Sequence, residues 1–231
     1  TMDIAKATAL ILNEVGEDWS ILGSEEWCCG DPLSMAGQTR SFSEIAQHNI
    51  GIIRKTRAKS VVFSCGECYR AFALDYPKTV GNLDFKVCHI SRYISEQIGK
   101  GNLEFRKSMN SPIAYHDPCM LGRMCGMYDE PREVIKSIPG VELRELPRNR
   151  ELSSCCGGGG LLTTTYPKLA LEIAERRMTE IEATGATLVA SACPTCKLTI
   201  QNAALEKKRD IRVLDLTELV AKAMGLSMGQ P

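Results

Sequence analysis

We predict an α/β protein made of two small pseudo-symmetric domains, each a parallel sheet flanked by helices. Helical and strand patterns alternate along the chain, and a cysteine pattern occurs twice with nearly constant spacing. Alternating elements of this kind favour parallel sheets with right-handed crossovers. The least apolar stretch, residues 99–111, is the predicted linker. We therefore expect cysteine-rich domains at 1–100 and 111–231.

The individual elements follow from hydrophobic periodicity, which separates helices from short β-branched strands. In the first half, the predicted helices are 3–15, 41–57 and 89–98, with another starting at Cys65, and the predicted strands are 20–22, 60–64 and 85–87. In the second half, the predicted strands are 113–116, 141–146, 187–191 and 211–214. The predicted helices there are 130–138, 166–183 and 216–224, with one more after Cys196.

Charge and hydropathy exclude two classes of protein. The 231 residues carry 28 Lys plus Arg against 28 Asp plus Glu, so the net charge is zero. A neutral balance argues against nucleic-acid binding through a basic surface. No apolar run approaches the roughly 20 residues of a membrane span. We expect a cytoplasmic protein, or one held at a membrane through a partner subunit.

The cysteines carry the chemistry. Nine of the 11 cysteines fall into two adjacent pairs, two C-x-x-C motifs and one preceding position. The first set is Cys28, Cys29, Cys65 and Cys68, and the second is Cys119, Cys155, Cys156, Cys193 and Cys196. Clustered cysteines in a chain of this size favour metal binding or redox chemistry over structural disulfides. Cys88 and Cys125 lie outside the repeat, Cys88 as a buried thiol and Cys125 as a buried thiol or a spare ligand.

The repeat itself indicates an internal duplication. Cys155 follows Cys28 by 127 residues, and Cys193 follows Cys65 by 128. At the same offset, the first-half equivalent of Cys119 would precede Thr1. We therefore expect the chain to be a piece of a longer protein, with its first domain truncated at the N terminus.

The cysteines should gather at the carboxyl ends of the parallel strands, where such folds bind ligands. A structural zinc takes four ligands, so five thiolates in the second set suit a larger iron–sulfur group. Two alternatives stay open: a zinc-stabilised scaffold without catalysis, and a dithiol enzyme that uses C-x-x-C directly. Gly157 and Gly158 would let backbone N–H groups approach the cofactor. His116 is a structural histidine or a proton donor to a leaving thiolate.

Several longer motifs carry a resemblance to a known family. They are the stretches at 116–119 (HDPC), 121–123 (LGR), 128–132 (YDEPR), 149–151 (NRE), 155–160 (CCGGGG), 193–196 (CPTC), 28–32 (CCGDP) and 65–68 (CGEC). In this order they resemble the CCG-domain family of iron–sulfur proteins, which includes the B and D subunits of heterodisulfide reductase. Met120 and Met124 stand where many members of that family carry histidine.

The resemblance implies an oxidoreductase subunit with noncubane [4Fe–4S] clusters that reduce a disulfide by single-electron steps. The second cysteine set would hold one intact cluster, and the first set part of another. Relatives of this kind also serve lactate, glycolate, glycerol-phosphate, succinate or sulfite-reduction systems, so the cofactor is implied more firmly than the substrate. The implied partners are a thiol or disulfide substrate and other redox subunits of ferredoxin-like, flavin or cytochrome b type.

We also expect the two sites to differ. Asp31 would place a carboxylate beside the first cluster where the second half has glycine, and Pro32 lacks an N–H donor. Both features would lower the reduction potential of the first site.

Overall fold

Two parallel sheets organise the chain, one in each half, and confirm the predicted fold class. The structure is a computed structural model that describes residues 2–227. The first sheet pairs β1 (Ser60–Phe63) with β2 (Lys86–His89). The second sheet has the order β4-β3-β5-β6 and consists of β3 (Ser111–His116), β4 (Val141–Glu145), β5 (Leu188–Ser191) and β6 (Arg212–Asp215).

The strands of the second sheet end level with one another. His116 pairs with Ser191, which in turn pairs with Asp215. All these pairings are parallel, so the carboxyl ends of the strands share one edge. The loops that leave this edge carry the cysteines of the second set.

Helices fill the connections between strands. In the first half they are α1 (Met2–Val15), α2 (Asp31–Met35), α3 (Thr39–Thr56), α4 (Gly66–Arg70), α5 (Tyr76–Val80) and α6 (Ile90–Gly99). In the second half they are α7 (Asp129–Ser137), α8 (Leu162–Thr165), α9 (Pro167–Glu182), α10 (Pro194–Glu206) and α11 (Leu216–Ala223). A π-helical turn, Ala71–Asp75, joins α4 to α5, and two short 3₁₀ turns occupy Gly23–Glu25 and Arg150–Leu152. No helix in the described part of the chain is long and apolar enough to cross a membrane.

The strand predicted at 20–22 is wrong. These residues form a loop that runs into the 3₁₀ turn, and Ile21 is 74% exposed. A strand gains its stability from a paired neighbour and a buried face, and this stretch has neither. The first sheet therefore has two strands in the described residues, against four in the second.

One apolar core joins the two halves. Ile11 of α1 and Ile94 of α6 lie in the same buried cluster as Ile113 of β3 and Leu219 of α11. These four side chains are fully buried. The first and last long helices of the chain thus pack on one another, and each half helps to bury the other. The domain limits 1–100 and 111–231 stay predictions, and residues 1 and 228–231 within them lie outside the described residues.

Candidate metal centre

The two C-x-x-C motifs occupy equivalent places at the start of a helix. Cys65 precedes α4 and Cys193 precedes α10, and both have extended backbone conformations. Neither cysteine makes a side-chain capping hydrogen bond to its helix, so both thiols are left to the neighbouring sulfurs.

The five cysteines of the second set form a continuous row of thiols. Cys119 lies within hydrogen-bonding reach of Cys155, and Cys155 of Cys156. Cys156 then reaches Cys196, which reaches Cys193. Cys119 and Cys193 are the two ends of this row, and Cys156 and Cys196 lie within 4.8 Å of each other at its middle.

The row continues through the first set and across the boundary between the halves. Cys65 lies within hydrogen-bonding reach of both Cys193 and Cys68. Cys68 reaches Cys29, which neighbours Cys28. The nine thiols thus interact from neighbour to neighbour in one row, and Cys28 and Cys155 are its exposed members.

A second contact crosses the same boundary beside the sulfurs. Glu67, inside the first C-x-x-C motif, accepts a hydrogen bond from the Thr195 hydroxyl inside the second motif, at 2.9 Å. Burial, followed by the nearby Cys193 thiol, raises the pKa of Glu67 to about 7. The residues between the paired cysteines therefore hold the two motifs against each other.

Backbone N–H groups point at the sulfurs of both adjacent cysteine pairs. The N–H of Gly157 lies 3.2 Å from Cys155 Sγ, and that of Gly158 lies 3.4 Å from Cys156 Sγ. These bonds give both glycines the place expected for them, beside the sulfurs that would carry a cofactor.

The first pair has one such bond in the described residues, against two at the second pair. The N–H of Gly30 lies 3.5 Å from Cys28 Sγ. The Asp31 carboxylate, expected as a charge beside the first site, is paired: it is 2% exposed and accepts a hydrogen bond from Arg70 Nη1 at 2.6 Å.

The glycines also make room for close packing. A Cβ on Gly157 would lie 2.5 Å from the carbonyl oxygen of Ala170 in α9, and one on Gly158 would lie 2.2 Å from Thr199 Oγ1 in α10. Gly157 has a φ of +87°, which side chains rarely adopt. These two glycines therefore let the loop of Cys155 and Cys156 pass between two helices.

Hydrogen bonds between neighbouring thiols shift their pKa values in opposite directions. The hydrogen bond from Cys193, followed by that from Cys68, lowers the pKa of Cys65 to about 5. The hydrogen bond that Cys119 donates holds the pKa of Cys155 well below its usual range, and the same contact raises the pKa of Cys119. Thiols this close cannot all ionise without a nearby positive charge, and a bound metal supplies one. The donors are soft sulfur atoms, which suit iron–sulfur clusters or zinc.

A buried ion pair shapes the turn that carries Cys119. Arg132 of α7 donates two hydrogen bonds to Asp117, at 2.7 and 2.8 Å, and both side chains are 2% exposed. Asp117 also accepts from the backbone N–H of Arg150 at 2.9 Å. This network ties the loop after β3 to the loop that leads to Cys155.

His116 lies behind the second set of sulfurs. It is fully buried, and one of its ring nitrogens lies within 4.8 Å of the sulfurs of Cys156 and Cys196. Arg177 of α9, also fully buried, donates from Nε to His116 Nδ1 at 2.9 Å.

Sequence reasoning missed Arg177, and it gave no individual role to Arg132 or Glu67, although both lie inside motifs that it singled out. A signal for Arg177 exists, because it falls on the apolar stripe of α9 between Ala174 and Ile181, where a charged side chain must be paired. Glu67 had no comparable signal, since its partner Thr195 is 128 residues away.

The two cysteines outside the repeat stay apart from the row of nine. Cys88 and Cys125 are partly buried and pack against the core that joins the two halves. Burial raises the pKa of both, to about 11 for Cys125. The predicted buried-thiol interpretation is consistent with this packing. His89 is fully buried and caps α6 by accepting a hydrogen bond from the backbone N–H of Ser91 at 3.2 Å.

Comparison with known proteins agrees with this geometry. The family described as "CCG: Cysteine-rich domain" matches residues 2–73 and 113–201, which include all nine cysteines. The D subunit of the dihydromethanophenazine:CoB--CoM heterodisulfide reductase of Methanosarcina mazei is 41% identical over 227 residues, covering 96% of this chain and 56% of that protein. The chain therefore spans about half the length of this relative.

Two further relatives share the same region. The "Probable iron-sulfur-binding oxidoreductase FadF" of Bacillus subtilis is 32% identical, with 98% of this chain and 33% of that protein covered. The "EtfAB:quinone oxidoreductase" of Syntrophomonas wolfei is 28% identical, with 96% and 32% covered. The family match extends over both halves and includes both cysteine sets. The chain therefore belongs to the CCG cysteine-rich domain family.

Proposed function

We propose that this chain is the cluster-binding part of an iron–sulfur oxidoreductase subunit that reduces a disulfide. The observation that carries the proposal is the uninterrupted row of nine thiols, in which Cys65 of the first set touches Cys193 of the second. Two separate zinc sites would gain nothing from such a contact, whereas two electron carriers would.

The cysteines of each set fit a cluster as its ligands. The second set offers five thiols, three of them buried, and two N–H donors. Five exceeds the four ligands of a structural zinc, which favours a noncubane [4Fe–4S] cluster over zinc. The first set offers four thiols, enough to hold part of a second cluster. We assign these two sets to separate domains at 1–100 and 111–231.

The arrangement suits a two-electron reaction performed in single steps. A disulfide takes up two electrons and two protons and yields two thiols. An iron–sulfur cluster held by these thiolates would supply electrons one at a time. The side chains of Cys28 and Cys155 are exposed, so a substrate can reach the row from solvent. The backbone N–H groups at each CC pair would stabilise negative charge on the sulfurs during reduction.

A second candidate is an electron-transfer subunit that does not itself cleave a disulfide. The relative named an EtfAB:quinone oxidoreductase favours it, because that protein shares the same region of this chain. Systems for lactate, glycolate, glycerol-phosphate or sulfite reduction belong to this class. Either role needs other redox subunits of ferredoxin-like, flavin or cytochrome b type to deliver electrons.

Metal analysis separates the cofactor hypotheses. The full-length protein is purified without oxygen and assayed for iron, acid-labile sulfide and zinc. About four irons and matching sulfide per cluster support the proposal. Zinc alone supports a scaffold, and the absence of all three supports a dithiol enzyme.

Activity separates the two candidate functions. The reduced protein is mixed with a small disulfide, and thiol release is followed together with cluster reoxidation. We expect Cys156→Ser to lose disulfide cleavage and the second cluster signal, while Cys29→Ser keeps the second cluster. Cys88→Ser is the matched control and should keep both. Reoxidation by a quinone or dye without thiol release would favour the electron-transfer role.

A further inference from the structure

The contact with Arg177 determines which ring nitrogen of His116 carries the proton. An arginine guanidinium only donates hydrogen bonds, so the Nδ1 atom that Arg177 Nε approaches at 2.9 Å must be the acceptor. In a neutral imidazole the proton then sits on Nε2. A proton on Nδ1 would face the N–H of Arg177, so the contact permits one tautomer.

Arg177 cannot turn away to release this constraint. Its Nη1 donates to the Arg148 carbonyl at 2.9 Å and to Glu180 at 2.5 Å, and its Nη2 donates to Ser153 Oγ at 3.1 Å. The guanidinium is fully buried, and all three of its nitrogens are engaged. The histidine ring is therefore held in one orientation as well as in one tautomer.

The proton on Nε2 has no partner within the described protein. His116 Nε2 is fully buried and makes no hydrogen bond. A buried donor left in this state costs about 1–3 kcal/mol, so such groups are normally satisfied by something. What lies close to this ring is sulfur: the Sγ atoms of Cys156 and Cys196 lie within 4.8 Å of one ring nitrogen and of each other.

We propose that His116 is not a metal ligand but an N–H···S hydrogen-bond donor to the cluster of the second cysteine set, locked in that role by Arg177. This inference rests on the proposed function, because it needs a cluster at the second set. A ligand would need a bare Nε2 and therefore a proton on Nδ1, where Arg177 stands. A hydrogen bond to cluster or thiolate sulfur stabilises the more negative, reduced state and so raises the reduction potential.

The first test identifies the role of the nitrogen spectroscopically. The chain has three histidines, so ¹⁵N-histidine labelling gives a simple spectrum. Electron–nuclear double resonance is recorded on the loaded full-length protein in a paramagnetic state of the second cluster. We expect weak ¹⁵N coupling and an exchangeable proton signal that disappears in D₂O. Strong direct ¹⁵N coupling would overturn the inference, because it would mean ligation.

The second test measures the reduction potential of the second cluster. His116→Gln keeps an amide oxygen to accept from Arg177 and an N–H to donate to sulfur, so the reduction potential of this variant should stay close to that of the wild type. His116→Leu removes both groups and should lower the potential. His48→Gln, at a partly buried histidine of the first half that stacks on Trp27, is the control and should leave the potential unchanged. An unchanged potential in His116→Leu would overturn the inference.

The outcomes distinguish this inference from the proposed function. A protein without iron and sulfide would defeat both. A protein with iron and sulfide but strong ¹⁵N coupling would defeat only the role assigned to His116. If His116→Leu fails to bind iron, the coupling in the wild type and the potential of His116→Gln still decide the question. A glutamine variant with a potential far below the wild type, together with strong coupling, would establish ligation.

Discussion

Replacing Gly157 with alanine tests how tightly the cysteine loop is packed. The new Cβ would lie 2.5 Å from the carbonyl oxygen of Ala170 and 3.2 Å from Ile173 Cβ, so α9 must move. The φ of +87° adds backbone strain of about 1–2 kcal/mol. Overpacking against a fixed helix costs about 1–3 kcal/mol. We expect Gly157→Ala to lower the free energy of unfolding by about 2–5 kcal/mol.

Gly159 provides the matched control within the same run of glycines. A Cβ there would meet only a side-chain atom, Glu67 Oε1 at 3.3 Å, which needs a shift of a few tenths of an ångström, and the residue has no positive φ. The free energy of unfolding of Gly159→Ala should therefore stay within about 0.5 kcal/mol of the wild-type value.

Urea unfolding without oxygen, followed by circular dichroism, measures both variants. Iron content is measured on the same samples, because a displaced loop would also lose ligands. We expect Gly157→Ala to unfold at clearly lower urea and to hold less iron, with Gly159→Ala close to the wild type in both. A Gly157→Ala protein within about 1 kcal/mol of the wild type would refute the packing argument.

Three further outcomes are expected. Arg132→Met leaves the buried carboxylate of Asp117 without its ion-pair partner and should lower the free energy of unfolding, measured in urea, by about 3–5 kcal/mol. Arg40→Met breaks an exposed ion pair with Glu44 and should lower it by no more than about 1 kcal/mol. Burial lowers the pKa of His89 to about 3 in the folded protein, whereas histidine in an unfolded chain has a pKa near 6.5. Below pH 6.5, His89 therefore binds a proton in the unfolded chain but not in the folded one. Stability should therefore fall by up to about 2 kcal/mol between pH 6.5 and 5, and His89→Asn should flatten that part of the pH profile. Cys193→Ser should lose iron on metal analysis, while Cys88→Ser should keep it, since Cys88 lies outside the row of sulfurs.

The sequence predicted those features that depend on spacing along the chain. The order of helices and strands follows from hydrophobic periodicity, and it was correct for every strand except 20–22. The two cysteine sets follow from a constant offset, and the position of Cys65 and Cys193 directly after parallel strands follows from parallel-sheet geometry. Periodicity failed at Ile21 because two apolar residues indicate a strand only when another strand lies beside them.

The electrostatic environment could not be predicted in the same way. Asp31 was expected to act as a free charge, but Arg70 pairs with it from 39 residues away. This ion pair forms only because α2 and α4 pack against each other, and a single sequence does not show which helices pack together. Arg177 and His116 are a similar pair, separated by 61 residues.

By itself, the sequence determined the family, the fold class and the membership of each cysteine set, because these depend on local pattern and on the repeat. Tertiary structure alone decided that the two sets meet at Cys65 and Cys193, that Glu67 bridges to Thr195, and that His116 keeps its proton on Nε2. Each of these depends on the packing of one half against the other, or of α9 against β3. Such contacts arise from the burial of a shared apolar core, which no spacing within either half specifies.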